Sequence, residues 1–138
     1  MQAIERAYQT TLLKMPHLRG LLEPTQMATV EEAITHANAF IIYYRQSPAG
    51  LFIYHFHTYA FIPGYWVDEK VILPEFRGKH LAAIAQNKLC KKLAGNSKSN
   101  LLLGCIANGN IPSIRCAQAA GRIPILEYAF LTQDDIAE

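Results

Sequence analysis

The stretch Val71-Ile-Leu-Pro-Glu-Phe-Arg-Gly-Lys-His-Leu-Ala-Ala83 decides how this chain is expected to fold. A strand should end at Pro74, because proline cannot donate a hydrogen bond to a sheet. A short basic loop and then a helix are predicted to follow. The first N–H groups of a helix have no partner within it, and the helix dipole adds partial positive charge there. Since Gly78 allows close approach and Arg77 and Lys79 add charge, the loop is predicted to suit a pyrophosphate. The alternative is an ordinary strand-to-helix turn with surface charges.

The rest of the chain reads as an α+β domain around this stretch. Two helices are predicted before the first strand: Ala3 to Lys14, and a second that begins with a capping box of Thr29 and Glu32 and ends near His36. The later elements are strands Phe40 to Arg45, Leu51 to His57 and Tyr65 to Leu73, helix Leu81 to Leu93, strand Leu101 to Ile106, a helix capped by Asn110 and closed at Gly121, and strand Ile125 to Leu131.

Two breaks are predicted between the first three strands, a hairpin loop at Gln46 to Gly50 and an interruption at Pro63-Gly64. Apolar residues on the helix after the basic loop fall on one face. They are Leu81, Ile84, Ala85, Leu89 and Leu93.

Composition limits the classes of function. The 138 residues suit one domain, 1–138, with 51% hydrophobic and 17% charged residues. A net charge of +2 without a basic stripe argues against a nucleic-acid partner. No stretch resembles a signal peptide or a membrane span, so no membrane partner is expected. Three cysteines without CxxC spacing predict free thiols in the cytoplasm.

Two blocks together resemble the GNAT superfamily of acyl-CoA N-acyltransferases. The family signature is a strand ending in V-x-P, then R/Q-x-x-G-x-G/A at the start of a helix. Pro74 and the run Arg77-Gly78-Lys79-His80-Leu81-Ala82 stand in that register, with His80 at the first glycine. Asn110 and Gly121 match a second block at the family spacing, although Arg122 stands where the family has phenylalanine.

The resemblance implies a mixed, mostly antiparallel sheet flanked by helices, in the order α-α-β-β-β-α-β-α-β, and acetyl-CoA as co-substrate. The strands Tyr65 to Leu73 and Leu101 to Ile106 would splay apart to admit the pantetheine arm. The implied cofactor-binding residues are backbone groups near Val71, Ile72 and Leu73, the loop residues Arg77, Gly78, Lys79, His80, Leu81, Ala82 and Ala83, and Asn110.

The usual catalytic pair of the family is missing. Its tyrosine position is Ala117 and its glutamate position is Cys105. Glu69, on the strand leading to Pro74, is the candidate base, and the alternative is a structural ion pair. Side-chain alternation predicts that Asp68 points to the opposite face. Tyr128 is the candidate acid, and the alternative is a core tyrosine with a satisfied hydroxyl.

His55 and His57 form an H-x-H pair on one strand face. A metal site needs a third ligand, and no Cys or acidic residue supplies an obvious one, so no metal is assigned. The pair is interpreted as lining an acceptor cleft or as cross-strand packing.

Two functions therefore stay open. One is transfer of an acetyl group from acetyl-CoA to a primary amine of a small molecule or protein. The other is a non-catalytic acyl-CoA-binding or regulatory module, which the altered positions Cys105, Ala117 and His80 favour. The sequence leaves open the acceptor amine and whether the protein forms a homodimer.

Overall fold

The structure is a computed structural model that describes residues 1–95, 99 and 101–128. Four α-helices flank one sheet. The helices are α1 (Gln2–Lys14), α2 (Met27–Thr35), α3 (Leu81–Leu93) and α4 (Ile111–Ala119), with short 3-10 turns at Pro16–Leu18 and Pro74–Phe76. The strands are β1 (Ala39–Tyr44), β2 (Ser47–Tyr59), β3 (Ile62–Ile72) and β4 (Leu102–Leu103).

The sheet has the order β1-β2-β3-β4, antiparallel except for the parallel pair β3 and β4. The predicted α+β class and the order of elements through α4 are confirmed. Residues 125–128 of the predicted last strand, Ile125 to Leu131, do not form a strand, and its remainder lies outside the described residues. None of the helices in the described ranges has the length and apolar character needed to cross a bilayer.

Both predicted strand breaks are wrong, since the strands are longer and the turns tighter. A two-residue turn at Arg45 and Gln46, with φ of 46° and 68°, replaces the loop Gln46 to Gly50. Pro63 lies inside β3 opposite Thr58. The backbone nitrogen of Tyr65, two residues on, faces β4, so the N–H that Pro63 lacks would also face away from β2.

The start of helix α2 differs from the start that the sequence pattern predicts. Helix α2 begins at Met27 after Gln26, which makes no side-chain capping bond, so the predicted Thr29–Glu32 capping box is wrong. Thr29 lies within the first turn of the helix, where it cannot be the N-cap.

The core lies on both faces of the sheet. One face packs on α3 through seven buried residues: Ile42, Phe52, Tyr54, Tyr65, Ala85, Leu89 and Leu93. On the other face Ile53 packs against Val30 and Ala33 of α2. Ile84 of the predicted apolar face is 48% exposed, whereas Gln86 is fully buried. Helix α3 is therefore rotated relative to the predicted face, and its buried residues include a polar side chain.

Candidate active site at the divergence of two strands

Strands β3 and β4 meet over a short distance and then separate. Their register has two pairs, Tyr65 with Leu102 and Trp66 with Leu103. Beyond Trp66, β3 continues to Ile72 paired only with β2 within the described residues. The carbonyl oxygen of Gly104, which follows β4, accepts a hydrogen bond from the Arg122 guanidinium at 3.0 Å. The pairing of the two strands therefore ends at Trp66, and the edge of β3 beyond it has no strand partner within the described residues.

The open edge offers fewer free backbone groups than the sequence implies. The N–H of Leu73 faces β2 and donates to the Ala49 carbonyl at 2.8 Å. The Ile72 carbonyl faces the open edge but accepts from Arg77 Nε at 3.1 Å. Because backbone groups alternate in direction along a strand, the Ile72 N–H is the group left on the open edge at this end.

The side chains of Val71 and Leu73 point to the face of α1. There they line an apolar cavity of about 240 Å³ together with Ala3 and Ile4. Their side chains therefore serve packing, so any contact of these two residues with a ligand on the open edge would involve the backbone.

The loop after β3 ends at a helix start without a side-chain cap. Gly78 has φ of +78° with no atom within 4 Å of the position its Cβ would occupy, and His80 is also left-handed at +57°. Helix α3 begins at Leu81, and the His80 side chain makes no capping bond. The N–H groups of Leu81, Ala82 and Ala83 are the first of the helix and have no carbonyl partner within it. The helix start that the sequence predicts after the loop is therefore present, with its first N–H groups uncapped by a side chain.

The two basic side chains of the loop lie apart. The Lys79 ammonium lies over the Tyr44 ring, 5.2 Å from its centroid. Arg77 turns inward, and besides its bond to Ile72 it donates to the Ala7 carbonyl of α1 at 2.9 Å. Arg77 thus ties α1 to the end of β3, a role its predicted contact with the cofactor does not include.

Asn110 begins α4 as predicted. Its side-chain oxygen accepts from the Ser113 N–H at 3.4 Å, Pro112 occupies the first turn, and the residue is 8% exposed. Gly121, just past the helix, has φ of +82°. Both ends of α4 follow the expected capping chemistry.

Glu69 is buried, with 4% exposure, and its carboxylate is surrounded by donors. The Tyr8 hydroxyl lies 2.9 and 2.8 Å from its two oxygens, and the Thr25 hydroxyl donates at 3.0 Å. The backbone N–H groups of Thr25 and Lys70 donate at 3.3 and 2.9 Å. Burial and the neighbouring carboxylate raise the pKa of Tyr8, which keeps its hydroxyl a donor. Glu69 thus links α1 and the segment before α2 to β3.

Tyr128 has a different environment from Glu69. It is 43% exposed, and its ring lies 5.8 Å from that of Tyr59, at the hairpin end of β2. Partial desolvation and the nearby Tyr59 raise the pKa of Tyr128, so the phenol is protonated at neutral pH. Protonation suits an acid, but no described contact connects Tyr128 with Glu69.

A bulge in β3 places Asp68 and Glu69 on the same face of the sheet. Ile53 pairs with Glu69 and Tyr54 with Val67, so Asp68 is the extra residue. Its carboxylate pairs with Nδ1 of His55, on the face that carries α1 and α2. The prediction that Asp68 and Glu69 point to opposite faces is wrong, because the bulge interrupts the alternation. Burial raises the pKa of Asp68, although the bond from His55 opposes the shift.

Comparison with known proteins supports the architecture. No protein-family model and no curated protein matches the chain. Among solved structures it is similar to the aminoglycoside antibiotic 6'-N-acetyltransferase AAC(6')-IG from Acinetobacter haemolyticus in its apo form, with TM-score 0.56, 15% identity, and 85% of this chain and 88% of that chain covered. The corresponding enzyme AAC(6')-Ih from Acinetobacter baumannii gives TM-score 0.56, 19% identity, and coverages of 85% and 87%. The chain has the GNAT fold.

The sequence did not reveal a polar cluster in this fold, which is formed by Lys70, Gln86, Cys116 and Arg122. Arg122, at the family's phenylalanine position, donates to the side-chain oxygen of buried Gln86 at 3.1 Å. Lys70 Nζ lies 3.7 Å from Cys116 Sγ, and burial lowers the pKa of Lys70 and of Arg122. The only signal in the sequence was Arg122 at the altered position.

Proposed function

We propose that this chain is an N-acetyltransferase that transfers the acetyl group of acetyl-CoA to a primary amine of a small molecule or protein. One observation carries the proposal: the pairing of β3 with β4 ends at Trp66, and the part of β3 beyond it leads into an α3 N-terminus that has no side-chain cap. The divergence offers a slot for an extended arm, and the helix start offers N–H donors for a pyrophosphate.

The co-substrate would lie along the loop and the open edge. Gly78, Lys79, His80, Leu81, Ala82 and Ala83 would hold the pyrophosphate, mainly through backbone N–H groups. The Ile72 N–H would donate to the pantetheine arm, with Val71 and Leu73 fixing the strand on its other face. Arg77 would act on the site by holding the end of β3, and Asn110 by fixing the start of α4.

The chemistry would be direct attack of a neutral amine on the thioester carbonyl. The nitrogen–carbon bond forms, the carbon–sulfur bond breaks, one amine proton goes to a base, and the thiolate takes up a proton. We assign Glu69 as the base and Tyr128 as the acid. Because donors already surround Glu69, the proton would reach it through a hydrogen-bonded group or a water rather than directly.

The second candidate is a non-catalytic acyl-CoA-binding module. Two observations favour it: the positions of the usual glutamate and tyrosine are Cys105 and Ala117, and the lone pairs of Glu69 are occupied. The cysteines in the described ranges are free thiols, which fits the cytoplasm that we propose for either function.

Turnover with a panel of amines tests the proposal. The panel includes an aminoglycoside, because the similar structures carry that substrate in their names, together with a polyamine and a peptide with a free amino terminus. Released CoA is measured by chromatography, because exposed Cys105 would react with a thiol reagent. Acetyl-CoA binding with amine-dependent release supports the enzyme, binding without release supports the module, and no binding excludes both.

A further inference from the structure

Three side chains that can ligate a metal converge on the α2 face of the sheet. His55 and His57 come from β2, and Asp68 comes from the bulge of β3. One ligand atom from each lies within 4.8 Å of the other two. Asp68 is the third ligand that the H-x-H pattern lacked, and it lies on the same face as Trp66, the cross-strand partner of His55.

We propose that His55, His57 and Asp68 form a binding site for a divalent transition-metal ion of the Zn²⁺ type. Two imidazoles and one carboxylate are a donor set that zinc uses with a fourth, non-protein ligand. The proposal does not rest on acetyl transfer, since its residues lie outside the predicted CoA site.

The ligands are already partly arranged for an ion. The rings of His55 and His57 are stacked, 4.2 Å between centroids and 12° apart in plane. The His57 ring also packs against buried Trp66, with centroids 5.5 Å apart. Tetrahedral zinc with bonds of about 2.0–2.1 Å separates its ligands by about 3.4 Å. Small side-chain rotations would therefore bring the three atoms to bonding distance.

An ion can reach this site. The side chains of His55 and Asp68 are 44% and 23% exposed. Both line a cavity of about 340 Å³ that also includes Thr29, Glu32 and His36. The fourth coordination position would open to this cavity and would be filled by water.

The competing interpretation is a plain ion pair between His55 and Asp68, which needs no metal. The two interpretations differ over His57, whose ring stacks on that of His55 but which is not part of the ion pair. His57→Gln would therefore remove a metal ligand and leave the ion pair in place. Asp68→Asn would remove both.

The test is calorimetric titration of the metal-free protein with Zn²⁺ alone, for the wild type and both variants. We expect one equivalent to bind, with affinity lowered at least about tenfold in His57→Gln and in Asp68→Asn, since even outer-shell changes have effects of that size. Two variants should match the wild type: His17→Gln, whose ring contacts the Gly109 carbonyl, and Cys105→Ser, which removes an exposed thiol.

A second measurement keeps the result clear if a variant unfolds. Co²⁺ bound to the wild type should give visible absorption of a nitrogen and oxygen site, without the charge-transfer band of a thiolate ligand. Failure of the wild type to bind Zn²⁺ would overturn the proposal. So would equal affinity in a folded His57→Gln protein, loss of binding in Cys105→Ser, or a thiolate band in the Co²⁺ spectrum.

Discussion

The two halves of β3 have the same neighbour on one side and different neighbours on the other. Its first half, through Trp66, is paired with both β2 and β4, and Tyr65 and Trp66 are buried there. Its second half, from Val67 to Ile72, is paired with β2 alone in the described part of the chain and leads into the loop at Gly78. The first half is built as sheet interior, whereas the second is built as an edge next to unpaired helix N–H groups. One strand thus provides both a core and a ligand-binding edge.

The transition between the halves is marked by the bulge at Asp68. A bulge adds a residue and a local change of twist, so the strand after it follows a different course from the strand before it. It also brings Asp68 and Glu69 to the same face. The end of the pairing with β4 at Trp66 and the bulge at Asp68 are therefore close together in the chain.

The largest effect on activity is expected in the second half of β3, Val67 to Ile72, which we call the open half. Glu69→Gln keeps the shape of the side chain and removes its basicity, so kcat/KM should fall at least about 100-fold while acetyl-CoA affinity stays intact. Steady-state kinetics on folded protein measures this. Tyr8→Phe is the control, because it removes one donor to Glu69 but leaves the carboxylate. If both variants lose only thermal stability and keep their turnover, Glu69 is structural.

A substitution in the first half of β3, which we call the closed half, should lower stability rather than activity. A Cβ at Gly64 would lie 2.6 Å from Leu103 Cδ1 and 3.3 Å from the Leu101 carbonyl oxygen, so Gly64→Ala should push β4 away. We expect a loss of about 1–3 kcal/mol in the free energy of unfolding, measured with denaturant. Gly95→Ala is the control, since no atom lies within 4 Å of its added Cβ. Equal stabilities would mean that the β3–β4 contact is loose.

The sequence could predict those features that depend on residues close to them in the chain. Pro74, Gly78, Asn110 and Gly121 act on their own backbone within a few residues, and the strand end, loop, cap and helix end were all found. The Asp68 bulge depends on the register between β2 and β3, which no single segment specifies.

The direction of a side chain could not be predicted either where its partner is far away in the sequence. Arg77 turns from the loop to the Ala7 carbonyl, 70 residues earlier in the chain. Glu69 finds Tyr8 and Thr25, which are 61 and 44 residues away. The candidate site could therefore be located from the sequence, but the contacts of its charged side chains could not.

The proposed anion site in the loop after β3 can be tested by comparing substitutions at two similar glycines. Gly78 and Gly20 both have φ of +78° and open space around the missing Cβ, so aspartate strains the backbone equally at either position. Only Gly78→Asp places a carboxylate at the proposed pyrophosphate. We expect acetyl-CoA affinity to fall at least about tenfold for Gly78→Asp in calorimetry, because like charges repel by about 1 kcal/mol or more at contact distance. Gly20→Asp should bind as the wild type does, and equal binding by both would contradict the loop assignment.

The smallest effect is expected at the start of α4, which follows β4 and is capped by the side chain of Asn110. Asn110→Ala removes the oxygen that accepts from the Ser113 N–H, so unfolding should become easier by about 1 kcal/mol, with only modest weakening of acetyl-CoA binding. Gln26→Ala is the matched control at the N-cap of α2, where no side-chain bond exists, and it should be nearly neutral. Thermal unfolding of the two variants side by side measures the difference. A large loss of acetyl-CoA affinity in Asn110→Ala at unchanged stability would instead make Asn110 a ligand contact, and the capped start of α4 would then belong to the binding site together with the uncapped start of α3.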